Sequence, residues 1–237
     1  MSTELITLYR FKPSPYSQKV DLALVEANIP YRTHEVDLLN KPEWFAAKVH
    51  PVGKVPVITY GPANTDPTNP PDSVVKLAES SVILEFIADL YPESGLLPKD
   101  PIARAKVRFL NEIVSSKLAA SWYAFLRGVG PMDDVLKGVE AVQDLLPDAA
   151  GKFAFGDTYT IADATLVPVI ARLTITYKYD IGKFSAGEGS QLGTELQKPK
   201  YAKFMQYSHS MLERQSTKDT YDEEEIVTLW RKFFSKD

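Results

Sequence analysis

The sequence predicts two units of different class, an α/β unit at the N-terminus and an all-helical unit at the C-terminus. Three observations predict it. Over residues 5–36 a strand pattern, a helix pattern and a second strand pattern follow one another, the order of a parallel βαβ unit. A cluster of breakers then interrupts the chain, from Pro92-Glu93-Ser94-Gly95 to Pro98-Lys99-Asp100-Pro101. Beyond it strand signals largely stop and helical periodicity takes over. The expected division is a first domain over 1–93, a linker over 94–102 and a helical domain over 103–237.

Leu5-Ile6-Thr7-Leu8-Tyr9 is short and rich in β-favouring side chains, as a strand requires. Val20, Ala23, Leu24 and Ala27 recur at i, i+3, i+4 and i+7, marking one buried helix face. Between them Phe11-Lys12-Pro13-Ser14-Pro15-Tyr16-Ser17 reads as a strand-to-helix turn, with Ser14 as N-cap and Pro15 at the first helical position. The N–H groups of that first turn have no internal partner, and the helix dipole places partial positive charge there, so an anion is stabilised at this tip. Tyr31 to Val36 makes the second strand, after the turn signal Asn28-Ile29-Pro30.

Asn40-Lys41-Pro42-Glu43-Trp44-Phe45 opens a short helix that ends before Pro51. Pro56 stands immediately before the β-branched run Val57-Ile58-Thr59, a strand start where proline is tolerated and a cis bond is admitted. If Val55 turns its N–H and C=O outward, an extended peptide can bond to that edge. Gly61 to Asp72 carries four prolines and reads as an exposed loop before a returning strand at Val74-Val75-Lys76-Leu77. Glu79-Ser80-Ser81 leads into a helix with the stripe Ile83, Phe86, Ile87, Leu90.

In the second unit Ala103 to Leu126 is a long helical pattern, with Val107, Leu110, Val114, Leu118, Ser121, Trp122 and Phe125 along one side. A further helix is expected from Met132 to Leu146. Thr160 and Asp163 have capping-box spacing, and the helix they start is apolar nearly all round through Leu166, Val167, Ile170 and Leu173. Gly182 to Lys198, polar and holding Gly187, Gly189 and Gly193, reads as a loop. Asp222 and the three glutamates after it suit the first turn of a last amphipathic helix carrying Ile226, Leu229, Trp230 and Phe233.

Composition bounds the chemistry. With 237 residues, 44% hydrophobic and 24% charged, the chain has an ordinary globular balance. A net charge of -4 gives no basic footprint, so nucleic acid is not an expected partner. No run reaches the apolar length of a membrane span, and Met-Ser-Thr-Glu lacks the basic and apolar regions of a signal peptide, so a cytoplasmic location is expected. His34, His50 and His209 lack ligand spacing, and no metal is expected. There is no cysteine, which removes disulfides and every mechanism with a protein thiol nucleophile.

The order βαβ, helix, Val-Pro strand, strand, helix, linker and all-helical domain resembles the cytosolic glutathione transferases, whose N-terminal domain is thioredoxin-like. Within that superfamily Leu39 to Phe45, Pro51 to Val57, Glu79-Ser80 and the Thr160 to Asp163 box are most similar to the omega class. The resemblance covers nearly the whole chain. It implies glutathione as co-substrate: Val55 pairing its backbone with the cysteinyl part beside a cis Pro56, Glu79 and Ser80 holding the γ-glutamyl end, and Lys41 facing the glycyl carboxylate. It also implies a homodimer, and a hydrophobic second substrate between the domains, met by Phe11, Tyr16, Trp122, Phe125, Leu126, Arg172 and Tyr221. An aromatic lining with one Arg suits flat apolar molecules bearing phenol or acid groups.

The chain departs from the omega pattern at the first turn, where that class has Cys-Pro-Phe or Cys-Pro-Tyr and this sequence has Ser14-Pro15-Tyr16. Thiol transfer and dehydroascorbate reduction through a mixed disulfide with the enzyme need a protein thiolate, so their loss is expected. Ser14 is the expected catalytic residue, donating its hydroxyl hydrogen bond to the glutathione sulfur. Lowering a thiol pKa from about 8.5 by about two units takes roughly 2.7 kcal/mol, within reach of a hydroxyl and a helix dipole. The function expected is conjugation to aromatic electrophiles or reduction of hydroperoxides; the alternative is a ligandin-type binder of flat phenolic compounds with little turnover. A scaffold role in a larger assembly is disfavoured by the presence of all the glutathione contacts.

Overall fold

The computed structural model describes residues 4–148 and 153–234. The first three residues, on which the reading of the N-terminus rests, lie outside them. The chain divides into two compact units, Met1–Ser94 and Gly95–Asp237.

In the first unit β1 (Glu4–Arg10), α1 (Pro15–Glu26) and β2 (Tyr31–Glu35) form the βαβ unit, and β3 (Val57–Pro62), β4 (Val75–Ala78) and α2 (Ser80–Leu90) follow. The sheet order is β2-β1-β3-β4, with β1 parallel to β2 and the other two pairings antiparallel. This is the mixed sheet of a thioredoxin-like domain. Ile6, Leu8 and Tyr9 of β1 are wholly buried, and α1 buries every residue from Ser17 to Leu24. A helix buried on all sides needs its polar residues paired, and Asp21 is held by Arg10 at 2.8 Å and by the Tyr31 hydroxyl at 3.0 Å.

Two local expectations change. The stretch after Pro42 forms a π-helical turn over Phe45–Val49, which turns Phe45 and Val49 together into a cluster with Tyr9, Val36 and Val57. On α2 the fully buried stripe is Ile83, Leu84, Ile87 and Ala88, while Phe86 stands edge-on to Tyr60 at 5.8 Å.

The second unit is helical throughout. The long pattern after Pro101 is one helical run in three pieces: α3 (Pro101–Ile113), a π segment over Val114–Ala119, and α4 (Ala120–Leu126). Leu110, Val114, Leu118 and Trp122 are all wholly buried and fall at every fourth position. A regular α-helix, at about 3.6 residues per turn, carries such a stripe steadily round its axis. The wider π turn takes up that drift and keeps all four on one side.

Then come α5 (Met132–Gln143) and α6 (Ile161–Tyr179). The capping box at the start of α6 forms as the spacing predicts: the Thr160 N–H donates to Asp163 Oδ2 at 2.9 Å, and the Thr160 side chain accepts in return from the first turn. Asp163 Oδ1 also accepts from the Ala154 N–H and the Tyr207 hydroxyl, each at 2.8 Å. The helix buries residues on every side, as its composition requires.

The loop expected over 182–198 is a correction. Residues Glu188–Leu196 form α7, followed by α8 (Ala202–Leu212), α9 (Gln215–Thr220) and α10 (Glu223–Phe234). Of the glycines read as breakers, Gly187 does end the loop, with φ +89° and open space around it, but Gly189 and Gly193 are places of close approach: a Cβ on Gly189 would lie 2.7 Å from the Thr176 carbonyl oxygen and 2.8 Å from Asp180 Oδ1, so α7 rests directly on α6. Leu192 and Leu196, one turn apart, are wholly buried. The start of α7 is capped from outside, because the Asp180 carboxylate accepts from the Gly187 N–H at 2.7 Å and the Gly189 N–H at 2.9 Å. Among the described residues no helix is long and apolar enough to cross a membrane.

Gly189→Val should lower stability by about 1–3 kcal/mol, since the added side chain must push α7 off α6. Urea unfolding checks this; a loop at this place would tolerate valine with no measurable change.

Candidate active site

The sheet register brings the candidate residues of the first unit together. Tyr9 pairs with Val57, and Val57 pairs with Ala78, so three residues from three strands stand in one row. Each strand end at that row leads into a candidate segment. Past Tyr9 and Arg10 the chain enters the turn to Ser14; just before Val57 stands the Val55–Pro56 pair, whose peptide bond is cis; directly after Ala78 come Glu79 and Ser80. Lys41 lies against Gly53, two residues before Val55, with its amine 3.0 Å from where a Cβ on Gly53 would be, a position that lacks one and has φ +63°.

Ser14 is the N-cap of α1, with φ -71° and ψ 124°, and Pro15 fills the first helical position. Its Oγ accepts from the Ser17 N–H at 3.3 Å and its N–H donates to the Phe11 carbonyl at 2.8 Å, which closes the turn. The residue is half-buried, and a hydroxyl that accepts from Ser17 still has its own hydrogen to donate. Val55 packs its side chain against the Tyr9, Phe45 and Val57 cluster, which fixes its backbone at the sheet end. Ser80 is 8% exposed at the first position of α2, preceded by an exposed Glu79 that takes φ +68° without a side-chain cap bond. Phe11 is half-buried and Tyr16 is 42% exposed.

The turn is tied to the sheet by charge. Arg10 bonds Asp21 at 2.8 Å and Glu35 at 2.6 Å, joining the end of β1 to the middle of α1 and the end of β2. Burial raises the Asp21 pKa, and Arg10 and the Tyr31 hydroxyl pull it back down. Lys19, which the sequence pattern does not single out, is 4% exposed, and its ammonium lies 5.3 Å from the centre of the Tyr16 ring. Burial alone lowers its pKa to about 8. Its signal in the sequence is a lysine at i+3 from an aromatic, in line with the apolar face at Leu22 and Ala23.

The residues expected to meet a hydrophobic ligand from the second unit are enclosed instead. Trp122 has no exposed surface: its indole N–H donates to Thr176 Oγ1 at 2.9 Å and its ring stacks on Trp230 at 5.9 Å. Phe125 stacks on Phe184 at 4.5 Å, and Leu126 is 1% exposed, its carbonyl accepting from the Lys183 N–H. Arg172 is wholly buried, with its guanidinium 5.2 Å from the centre of the Tyr221 ring, and burial lowers its pKa to about 10. The Tyr221 hydroxyl donates to the Ala171 carbonyl at 3.3 Å, and burial raises its pKa. Aromatic partners and hydrogen bonds within the helical unit account for the burial, so in this structure only Tyr221 offers part of its surface.

Tyr221 borders a cavity of about 490 Å³ lined also by Thr174, Tyr177, Met205, Ser208 and His209. Its signal in the sequence is the stripe of α8 that backs it, Phe204, Tyr207, Ser208 and Met211 at i, i+3, i+4 and i+7, which marks a buried helix face and not a cavity.

Comparison with known proteins follows the same division. Residues 8–95 match the family described as the N-terminal domain of glutathione S-transferase, and residues 132–207 match its C-terminal domain. Glutathione transferase Omega 1C from Trametes versicolor superposes with a TM-score of 0.94 at 40% identity, covering 99% of this chain and 98% of its own. Glutathione transferase Omega 2S from the same organism, in complex with 2,4-dihydroxybenzophenone, gives 0.89 at 32% identity, covering 96% and 98%. A probable maleylacetoacetate isomerase of Caenorhabditis elegans is 32% identical over 182 residues, covering 72% of this chain and 79% of the relative.

Arg10→Met leaves the buried Asp21 carboxylate without its cation. The expected loss is about 3 kcal/mol near neutral pH. It should shrink as the pH falls and Asp21 takes up a proton, because a carboxylate whose folded pKa is raised favours the folded state on the acid side. Urea titrations at several pH values check both the size and the direction.

Proposed function

The chain belongs to the glutathione S-transferase family, and we propose that it is an omega-like member in which Ser14, in place of a cysteine, activates the thiol of glutathione. The observation that carries this reading is the Ser14 hydroxyl, half-buried at the start of α1 and standing at the same sheet end as Val55 and Ser80. In the proposed complex the Val55 backbone pairs with the cysteinyl part, and Glu79 with Ser80 takes the γ-glutamyl end at the start of α2. Lys41 faces the glycyl carboxylate. The sulfur then lies at the Ser14 hydroxyl and the positive end of α1, both of which favour thiolate over thiol.

The reaction proposed is attack of that thiolate on a hydrophobic aromatic electrophile, or reduction of an organic hydroperoxide by two glutathione molecules to give the alcohol, water and oxidised glutathione. A chain without cysteine forms no mixed disulfide with its substrate, so thiol transfer and dehydroascorbate reduction fall outside the proposal. We also propose a cytoplasmic homodimer. The complex of the Omega 2S relative with 2,4-dihydroxybenzophenone favours a second reading, storage of flat phenols with little turnover.

Ser14→Ala separates the two readings. Loss of the cap costs about 1 kcal/mol of stability in either case. Under the catalytic reading conjugation of an activated aryl halide falls by at least about tenfold, matching a loss of more than one pKa unit of thiol activation. Turnover that survives the change would reduce Ser14 to a helix cap. Ser14→Cys is the converse test: on exposure to oxidised glutathione the new thiolate should form a protein–glutathione disulfide and release one reduced glutathione. Intact mass assigns it to this residue, since the chain has no other cysteine.

A further inference from the structure

Lys19 carries a charge that the fold does not balance. It is 4% exposed, yet among the described residues its one side-chain partner is the face of the Tyr16 ring, 5.3 Å from the ammonium. An ammonium taken out of water is ordinarily matched by a carboxylate or a set of acceptors, and a ring face alone is a weak substitute. The carboxylate nearest in sequence, Asp21, is already committed to Arg10 and Tyr31. The elements packed on α1 bring Glu4, Tyr9 and Arg10 from β1 and Glu85 and Asp89 from α2. None of these shifts the Lys19 pKa, which burial alone lowers to about 8.

The side chain has a direction. Long helical side chains run back toward the helix N-terminus, and the contact with Tyr16 one turn earlier places the ammonium beside the first turn of α1. That turn already carries the positive end of the helix dipole, which disfavours a second positive charge. A buried cation aimed at a positive helix end is a cost to the folded state unless an anion joins it.

We propose that Lys19 is the counter-charge for the glutathione thiolate, completing with Ser14 and the start of α1 a site for a soft anion. This rests on the reading that glutathione binds at Ser14, and it extends that reading to a residue at which no role is otherwise placed. Ser14 donates one hydrogen bond to the sulfur, and Lys19 supplies the full charge. The thiol proton leaves to solvent or to the fraction of Lys19 that is neutral, and the bound state holds one thiolate and one ammonium. A cysteine at the Ser14 position would itself meet this charge, so a serine there leaves the ammonium to the substrate sulfur.

Coupling between two titrating groups is reciprocal, which gives a test that needs no substitution. The Lys19 amine is followed by competitive acylation at several pH values, alone, with glutathione, and with S-methylglutathione, which has no thiol to ionise. Glutathione should raise the Lys19 pKa by about one unit or more and slow its acylation correspondingly below that value. S-methylglutathione should leave the titration where it is. Equal effects of the two ligands overturn the proposal. If neither ligand raises the melting temperature, the glutathione reading fails with it; if both do and Lys19 titrates unchanged, this inference alone fails.

Lys19→Met and Lys19→Arg supply the activity readout. In Lys19→Met the pKa of bound glutathione, read from the ultraviolet absorbance of its thiolate, should rise by about one unit or more. Conjugation should then fall about tenfold below the wild-type thiol pKa and recover above the free value of about 8.5. Lys19→Arg should keep the wild-type profile. Without glutathione the methionine variant should melt higher than wild type, since a buried charge is gone. A pH profile unchanged in Lys19→Met overturns the proposal. If that variant does not fold, the acylation experiment on the wild-type chain decides alone.

Discussion

The register of three strands is the constraint from which the candidate site follows. Tyr9, Val57 and Ala78 stand side by side, and the chain leaves or enters each of these strands within a residue or two of a segment that faces one small volume. No single loop makes the site. Ser14, Val55 and Ser80 come from stretches far apart in sequence, and only ladder hydrogen bonds bring them to one sheet end. A slip of one residue in any pairing reverses every side chain on that strand, exposing Tyr9 or Val57, so burial of the Tyr9, Phe45 and Val57 cluster guards the site as firmly as it guards the core. The Arg10 pairs to Asp21 and Glu35 add a second lock, fixing α1 at the level where its first turn meets the strand ends.

Electrostatically the same end of the unit is mixed, with Glu35 at the end of β2 and Glu79 directly after β4 standing among its cations. Two helix starts and the Lys41 and Lys19 side chains add positive charge to this unit, within a chain that is acidic overall. A peptide with two carboxylates and an ionisable thiol answers that field at each of its ends. The arrangement has a cost in the free protein, where the backbone of Glu79 sits at φ +68° and Lys19 is desolvated.

What the sequence made legible is what local chemistry decides. Ser14 with Pro15, the Pro56 that precedes β3, and Thr160 with Asp163 each fix a cap or a strand start within a few residues, and each stands in the structure as read. Where a residue's surroundings depend on what packs against it, local sequence does not decide them. Gly189 has the look of a breaker and is a contact point, because glycine serves loops and close helix crossings alike. Trp122 and Phe125 repeat on a helical stripe, and periodicity marks burial without telling a core position from a ligand wall. Lys19 was passed over for the opposite reason: a lysine is counted with the solvated face, and only coordinates show it inside.

The π segment at Val114–Ala119 gives its helix one residue more than a plain α-helix with the same buried side would hold. Removing one residue there returns the run to a plain α-helix and leaves α4 facing nearly as before, because eleven residues at about 100° each bring Trp122 round to the side of Leu110; a second removal has no π turn to absorb it and turns everything after it by about 100°. With that second removal Trp122 would leave Thr176 and Trp230, and Phe125 would leave Phe184, although no residue in those contacts had been altered. Substitutions in this stretch are judged one side chain at a time, but a change in residue count is judged by all of α4 at once. For this helix the spacing of its residues is under tighter physical control than their identity.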